Sequence, residues 1–139
     1  MKNKPNLVII RGLPGQGKST HAKNVFVPQG YKHFENDQYF MKNGHYEFDL
    51  HKAKDAANCC FNNTAKELAA GNDVVVSNVF VTVKAVNRYK ELAKKYNATF
   101  KVLRMTGNFK NVHNIPKNAL ISMKLNFEDY PDEELVDPI

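Results

Sequence analysis

The sequence predicts an α/β fold of three layers, in which about four parallel strands have helices on both faces. Short apolar runs alternate along the chain with segments whose apolar residues recur every three or four positions, as expected when strands alternate with helices. The run Val74-Val75-Val76 contains only β-branched residues, which favours a strand buried on both faces, as in a parallel sheet. The length of 139 residues suits one domain.

The predicted elements follow one another in a regular order. Strands are expected at 7–10, 32–35, 74–76 and 99–105. Helices are expected at 18–25, 49–70, 82–96 and 116–127, whereas the polar, glycine-containing residues 41–49 are expected to form a loop. Thr82 is a residue type that caps helix N-termini. The inward stripe of the long second helix is predicted to be Leu50, Ala53, Ala57, Cys60, Thr64 and Leu68.

The stretch between the first strand and the first helix matches a phosphate-binding motif. Residues 12–19 read Gly-Leu-Pro-Gly-Gln-Gly-Lys-Ser and fit G-x-x-x-x-G-K-[ST], the P-loop. Its glycines let the backbone pass close to a phosphate, so that N–H groups and the helix N-terminus point at the anion. Lys18 is expected to reach the outer phosphates and the Ser19 hydroxyl to ligate Mg2+. The predicted nucleotide-binding residues are Gly12, Pro14, Gly15, Gln16, Gly17, Lys18, Ser19 and Thr20. The alternative is a glycine-rich turn that binds no ligand.

Polar residues after the second and third strands are expected at the same edge of the sheet, because ligands of open parallel sheets bind outside the carboxyl ends of the strands. Asp37 follows strand two and can orient or deprotonate an acceptor hydroxyl, or else cap the next segment. Asn78 ends strand three and can bond to the acceptor or act as a turn residue. Tyr39 and Phe40 flank Asp37 and can stack on a base or pack in the core.

Three basic residues are candidates to stabilise the charge of a transferring phosphoryl group. Lys110 lies in the polar loop after the fourth strand, which can cover the same edge of the sheet. Arg11 directly precedes the P-loop, and Arg104 lies in the fourth strand. Each of the three can instead be a solvated surface charge.

Charge is distributed unevenly along the chain. The net charge is +6, yet residues 128–139 contain six acidic residues and no basic one. We therefore divide the sequence into a P-loop domain at 1–127 and an acidic C-terminal tail at 128–139. The basic body favours polyanionic partners, including nucleotides and nucleic acid, although a soluble lysine-rich surface accounts for it equally well.

The chain is expected in the cytoplasm and not in a membrane. No apolar run approaches the ~20 residues of a membrane span, and the N-terminal apolar stretch is too short for a signal peptide. Cys59 and Cys60 are adjacent in a helix-like segment, which disfavours both a structural disulfide and a zinc cluster. A reducing compartment fits this cysteine usage.

Five segments occur together in an order known from one family. They are Arg-Gly-Leu-Pro-Gly-Gln-Gly-Lys-Ser-Thr (11–20), Asn-Asp-Gln-Tyr-Phe (36–40), Gly-His-Tyr-Glu-Phe-Asp (44–49), Val-Val-Val-Ser-Asn (74–78) and Lys-Asn-Val-His-Asn-Ile-Pro (110–116). Through them the chain resembles, from about residue 7 to 127, the small P-loop kinases related to phage polynucleotide 5′-kinase and to the P-loop domain of Nedd4-binding protein 2. The resemblance implies ATP with Mg2+ and phosphoryl transfer to a 5′-hydroxyl. It implies that Asp37 is the general base and that Lys18 and Ser19 contact phosphate.

The resemblance leaves the phosphate acceptor open. Phe40 stands where the polynucleotide kinases carry a basic residue, Ser77-Asn78-Val79 stands where an aspartate is expected, and Lys110 takes the place of an arginine. We expect an ATP-dependent kinase that acts on a hydroxyl of a nucleic acid end or a nucleotide. A kinase of nucleosides, nucleotides or other small molecules is the first alternative. An ATP-binding regulatory protein with weak or no catalysis is the second.

Overall fold

A five-stranded parallel sheet forms the centre of the computed structural model, which describes residues 4–42, 45–46, 49–106 and 117–136. Its strands are β1 (Asn6–Arg11), β2 (Lys32–Phe34), β5 (Val74–Ser77), β6 (Thr99–Met105) and β7 (Glu134–Val136), in the spatial order β2-β5-β1-β6-β7. Two short strands, β3 (Met41–Lys42) and β4 (His45–Tyr46), pair as a separate antiparallel hairpin. The predicted fold class is confirmed, and the sheet has one strand more than the four or so predicted.

The helices follow the strands as expected for an α/β chain. They are α1 (Lys18–His21), α2 (Ala53–Ala69), α3 (Val83–Lys95) and α4 (Lys117–Asn126). A π-helical turn (Ala22–Phe26) and a 3-10 turn (Val27–Gln29) extend α1, whereas 3-10 turns at Asn36–Phe40 and Leu50–Lys52 precede the hairpin and α2. None of the helices described is long and apolar enough to cross a membrane.

The sheet is covered on both faces, which gives the three predicted layers. On one face Leu7, Ile9 and Val76 pack with apolar residues of α2 and α3, such as Leu68 and Leu92. On the other face the packing partners of the sheet come from the segment after α1. These partners are Ala22 and Phe26, which pack against sheet residues Val8, Ile10, Val75, Leu103 and Met105. Because β1 lies in the middle, its carboxyl end and the loop that follows it are held by strands on either side.

The inward stripe of the second helix differs from the prediction in its first half. The buried residues of α2 are Ala56, Cys60, Thr64 and Leu68, at a regular spacing of four. Leu50 lies in the 3-10 turn before the helix and is 73% exposed. The stripe therefore runs through Ala56, four residues before Cys60, and not through Ala57, and it does not extend to Leu50 because the chain there is not yet α-helical. Cys59 and Cys60 are free thiols.

The last described residues also differ from expectation. Strand β7 pairs in parallel with β6, with Leu103 opposite Glu134 and Met105 opposite Val136. Tyr130 is 8% exposed and belongs to the core on the α2 and α3 side. The segment set apart as an acidic tail thus supplies the fifth strand of the sheet. Likewise, part of the loop expected at 41–49 forms the hairpin β3–β4.

Candidate functional site

The P-loop connects β1 to α1 and takes a shape that disfavours side chains at Gly12 and Gly17. A Cβ atom added at Gly12 would lie 3.0 Å from Gln16 Oε1 and 3.2 Å from Met105 Cβ, so the backbone passes close to the end of β6. Gly17, at the start of α1, has a φ of 85°, a left-handed conformation that is strained for other residues. Within the loop, Leu13 N donates to Gln16 Oε1 at 2.7 Å. A closed loop of this kind directs successive backbone N–H groups into one concave surface, which suits an anion.

Lys18 lies inside the site that this loop forms. Its Nζ donates to Leu13 O at 3.0 Å. Burial lowers the pKa of Lys18 to about 8, and the negative charges of Glu35 and Asp37 partly oppose that shift. The structure thus brings the P-loop lysine near two carboxylates from the segment after β2.

Glu35 is a site residue that the sequence did not single out. Ser19 Oγ and Ser77 Oγ both donate to Glu35 Oε2, the latter at 2.9 Å. His33 Nε2 lies 2.7 Å from Ser77 Oγ and 3.6 Å from Glu35 Oε2. The carboxylate of Glu35 therefore connects the P-loop serine to the carboxyl end of β5. The available signal was position, because Glu35 directly follows β2, but the predicted strand 32–35 included it as a strand residue.

Asn78 holds the turn that carries Asp37. Its Oδ1 accepts from Asn36 N at 2.8 Å, and its Nδ2 donates to Asn36 Oδ1 at 3.1 Å. Both bonds join the residue after β5 to the 3-10 turn after β2. Asp37 lies exposed in this turn. Asn78 thus fixes the backbone beside Asp37, and its predicted contact with a substrate stays a prediction.

The two aromatic residues after Asp37 have different surroundings. Tyr39 is 39% exposed, whereas Phe40 is 3% exposed. The two rings meet edge to face, with centroids 5.6 Å apart. The structure therefore leaves Tyr39 accessible to an acceptor, whereas Phe40 is packed in the core, which agrees with the second alternative for this residue and not with a role in substrate binding.

The basic residues considered for phosphoryl transfer also differ in their surroundings. Arg11 is fully buried, and Glu133 Oε1 accepts a hydrogen bond from its Nη1 at 2.8 Å. Arg104 forms ion pairs with Asp129 and Glu133. A guanidinium enclosed in this way is not available to a phosphoryl group, so the expectation for Arg11 is corrected. Lys110 lies outside the described residues.

The remaining predicted P-loop residues share one loop and the first helical turn. Pro14, Gln16, Gly17 and Ser19 are partly buried, and Gly15 and Thr20 are exposed.

Over the described part of the chain, no three His, Cys, Asp or Glu residues are arranged to hold a metal ion. The hydroxyl of Ser19 and the carboxylate of Glu35 are nevertheless hard oxygen donors in contact with each other, a set that suits Mg2+ shared with nucleotide phosphates.

The chain belongs to the AAA domain family, whose profile matches residues 7–106. The matched region begins in β1 and ends directly after β6, so it contains the P-loop, Glu35, Asp37 and Asn78. The assignment agrees with the resemblance to P-loop proteins derived from the motifs.

Relatives by sequence include three proteins of different kinds. An uncharacterised protein of Pasteurella multocida is 29% identical, over 96% of this chain and 83% of its own length. An Acanthamoeba polyphaga mimivirus protein, named as a bifunctional polynucleotide phosphatase/kinase, is 32% identical over 68% of this chain but only 19% of its own. Human NEDD4-binding protein 2 is 27% identical over 89% of this chain and 8% of its own. The chain thus corresponds to a small part of the last two.

Solved structures share the fold at low sequence identity. Kti12 of Chaetomium thermophilum, solved with ADP-AlF3, has a TM-score of 0.72 at 12% identity and covers 94% of this chain and 88% of its own. A gluconokinase of Sinorhizobium meliloti has a TM-score of 0.65 at 17% identity, over 97% and 83% of the two chains. These similarities establish a kinase-type P-loop fold.

Proposed function

We propose that this chain is an ATP- and Mg2+-dependent phosphotransferase that transfers the γ-phosphate to a hydroxyl of a nucleic acid end or a nucleotide. The observation that carries the proposal is that Lys18 bonds within the P-loop while Ser19 bonds to Glu35, the residue directly before the turn that contains Asp37. The relative named as a polynucleotide phosphatase/kinase supports the choice of acceptor. Chemistry of this class needs mainly a phosphate cradle, a metal ion and a group that orients the acceptor.

The P-loop would bind the triphosphate. Backbone N–H groups of residues 15–19 would surround the phosphates, and Lys18 would exchange its bond to Leu13 O for the β- and γ-phosphate oxygens. Exchanging the neutral carbonyl for a phosphate oxygen is favourable for the charged lysine, because a hydrogen bond between two ionised groups also gains the attraction of their opposite charges.

Ser19 and Glu35 would hold Mg2+ together with the phosphates. Mg2+ keeps several waters and is commonly bound by one or two carboxylates and the substrate phosphates. When bound, the ion would neutralise charge that builds on the phosphate oxygens during transfer. Ser77, which now donates to Glu35, would keep that carboxylate in place.

The variant Glu35→Gln is expected to raise the Mg2+ concentration needed for half-maximal activity by on the order of tenfold, because a residue that orients or ligates a metal contributes that much. Titration of activity with Mg2+ at saturating ATP measures the effect. Glu91→Gln, on the exposed face of α3, is the matched control and should leave the Mg2+ titration unchanged. Identical titrations for Glu35→Gln and the native chain would remove Glu35 from the metal site.

Asp37 would accept the proton of the acceptor hydroxyl. The hydroxyl oxygen attacks the γ-phosphorus in the same step, and ADP departs. The two bonds between Asn78 and Asn36 would keep the turn around Asp37 in place during this step. Tyr39, exposed next to Asp37, would offer its ring to a base of the acceptor.

Nucleotide binding is expected to take up protons at mildly alkaline pH. At a pH of about 8 half of the Lys18 side chains are neutral, because burial lowers the pKa of Lys18 to about 8. Phosphate oxygens favour the ammonium form and raise this pKa in the complex. We expect uptake of roughly half a proton per ATP at pH ~8 and weaker binding as the pH rises further. Calorimetric titration in two buffers of different ionisation enthalpy measures it.

The control for proton uptake is Lys18→Arg, since arginine keeps its charge throughout this pH range. Its uptake should be close to zero at the same pH. Zero uptake by the native chain, with ATP bound, would show that Lys18 keeps one protonation state through binding and would contradict the lowered pKa of Lys18 in the free site.

A small-molecule acceptor is the second candidate, and one observation favours it. Phe40 occupies the position of the basic residue expected for a polynucleotide acceptor, and its ring is buried.

We further propose a cytoplasmic setting, which the free thiols of Cys59 and Cys60 support.

Incubation of γ-labelled ATP with three acceptor classes tests the function. The acceptors are 5′-hydroxyl oligonucleotides, nucleosides and nucleoside monophosphates, supplied at equal concentration with Mg2+. Label in oligonucleotides or nucleotides supports the proposal, whereas label in nucleosides alone favours the second candidate. Tight ATP binding without transfer to any acceptor would indicate a nucleotide-binding regulatory protein.

A further inference from the structure

The buried side chain of Arg11 links the base of the P-loop to two distant parts of the chain. Arg11 is the last residue of β1 and directly precedes Gly12. Its Nε and Nη2 donate to Phe80 O at 3.1 and 2.6 Å, and its Nη1 donates to Glu133 Oε1 at 2.8 Å. The guanidinium also lies over the ring of Phe127, 4.3 Å from the centroid.

Glu133 is in turn held from several directions. Its second oxygen, Oε2, accepts from Tyr130 N at 3.1 Å and from Arg104 Nη1 at 3.2 Å. Its side chain is 8% exposed, so these bonds are largely shielded from water. Since Glu133 directly precedes β7, the C-terminal strand and the carboxylate are anchored together on β6.

The loop on the other side of Arg11 is strained and belongs to the site. Phe80 has a φ of 50°, which is rare for a bulky residue and persists only where surrounding contacts enforce it. The same loop begins with Asn78, which fixes the turn carrying Asp37. Gly12 N donates to Val79 O at 3.3 Å, so the first P-loop residue bonds to this loop directly.

We propose that Glu133 is a positioning residue for the nucleotide site. It orients Arg11, and Arg11 then holds the carbonyl of Phe80, the residue that follows Val79, whose own carbonyl oxygen accepts from the first residue of the P-loop. The C-terminal segment in this way sets the distance between the phosphate-binding loop and the loop that carries Asn78. The inference rests on the proposed function, because its consequence is measured as nucleotide affinity.

Stability alone is a poor explanation for this arrangement. A buried ion pair contributes little net stability, because the desolvation of both charges offsets their attraction, and apolar residues often replace it without loss. The arrangement here is directional, since one guanidinium with fixed geometry bonds to a carbonyl of the site and to a carboxylate of the C-terminal segment. Geometry of this kind determines where a loop lies.

The test compares Glu133→Gln with Glu134→Gln. Glutamine has one acceptor oxygen, so it cannot accept from Arg11 on one side and from Arg104 and Tyr130 N on the other. Glu134 is the adjacent acidic residue, more than half exposed and paired with Lys101. Binding of MgATP is measured well below the melting temperature of each variant, together with hydrogen exchange of the amides in 12–19 and 78–81 relative to α2.

Glu133→Gln is expected to weaken MgATP binding by on the order of tenfold and to increase exchange selectively in these two loops. Glu134→Gln should resemble the native chain in both measurements. If the Glu133→Gln variant folds, binds MgATP like the native chain and shows unchanged amide hydrogen exchange in the two loops, the positioning role of Glu133 is overturned while the proposed function stands. A native chain that binds no nucleotide would overturn the proposed function and this inference with it.

A second variant covers the case in which Glu133→Gln does not fold. The double substitution Arg11→Met/Glu133→Leu replaces the ion pair with apolar residues of similar size and is expected to keep the fold. It still removes both donors to Phe80 O, so MgATP binding should remain about tenfold weaker than in the native chain. Native affinity in this double variant would contradict a positioning role.

Discussion

Replacing Lys18 with alanine is expected to weaken MgATP binding by about 100-fold or more and to abolish phosphoryl transfer, because a buried cation that meets phosphate cannot be replaced by solvent. Calorimetric titration with MgATP measures the binding.

The Lys18→Ala variant should keep the fold of the native chain. The pKa of Lys18 is about 8 in the folded chain and 10.5 when unperturbed, so the unfolded chain binds the Lys18 proton more tightly. Burial of the charged lysine therefore disfavours folding in full below pH about 8, and the effect vanishes above pH about 10.5. Its removal is therefore expected to leave the melting temperature equal or higher.

Lys23→Ala provides the control for this variant. Lys23 lies exposed in the helical turn that extends α1, so the change removes one positive charge from the same segment without altering the loop. It should bind MgATP as the native chain does. Native affinity in Lys18→Ala would show that residues 12–19 do not bind the outer phosphates and would refute the P-loop assignment.

Replacing Asp37 with asparagine is expected to lower kcat by about 100-fold or more while ATP affinity stays within a factor of two or so, because asparagine cannot accept the hydroxyl proton. The turn itself should persist, since the two bonds from Asn78 go to the backbone N–H and the side chain of Asn36, which the substitution leaves unchanged. Steady-state kinetics with saturating acceptor, together with direct titration of ATP, separate the two effects.

The control for Asp37 is Asp55→Asn, an exposed carboxylate in the first turn of α2. It should leave both kcat and ATP affinity unchanged. A large loss of ATP affinity in Asp37→Asn with turnover preserved would make Asp37 a ligand of the nucleotide or its metal, and the general base would have to be sought elsewhere.

The central part of the fold could be predicted because its signals are local. Strand β6 has the predicted bounds 99–105, and the β-branched run at 74–76 forms the fully buried β5. Thr82 caps α3 as expected, since its side chain accepts from Ala85 N at 3.1 Å. In each case propensity, burial and capping favour the same structure, so the sequence pattern alone is sufficient.

The C-terminal strand could not be predicted because its stabilising contacts are distant in sequence. Composition sets residues 128–139 apart as an acidic C-terminal tail, yet Glu133 is neutralised by Arg11, which lies 122 positions earlier in the chain. Only the folded sheet brings these two residues together. The same contact explains why Arg11, next to the P-loop, is not a catalytic cation.

The candidate site was predicted in outline but not in its internal connections. The motif at 12–19 forms a loop after β1, and Asp37 and Asn78 lie near it at the carboxyl ends of neighbouring strands. Glu35 was missed, because nothing in the local sequence distinguishes a strand-end carboxylate that bonds to Ser19 and Ser77 from an ordinary strand residue. Bonds of this kind depend on strand order, which places β2 beside β5.

Mass-spectrometric detection of 5′-phosphate on a 5′-hydroxyl oligonucleotide, in parallel reactions with ATP and Mg2+, tests whether this chain phosphorylates a nucleic acid end. The native chain should convert the oligonucleotide to a product heavier by one phosphoryl group, with one ADP formed per product. Lys18→Ala and Asp37→Asn should form little or none. Product formed at equal rates by the native chain and Asp37→Asn would contradict the role of Asp37 as general base. Bound ATP that remains intact with every acceptor would contradict phosphoryl transfer by this chain.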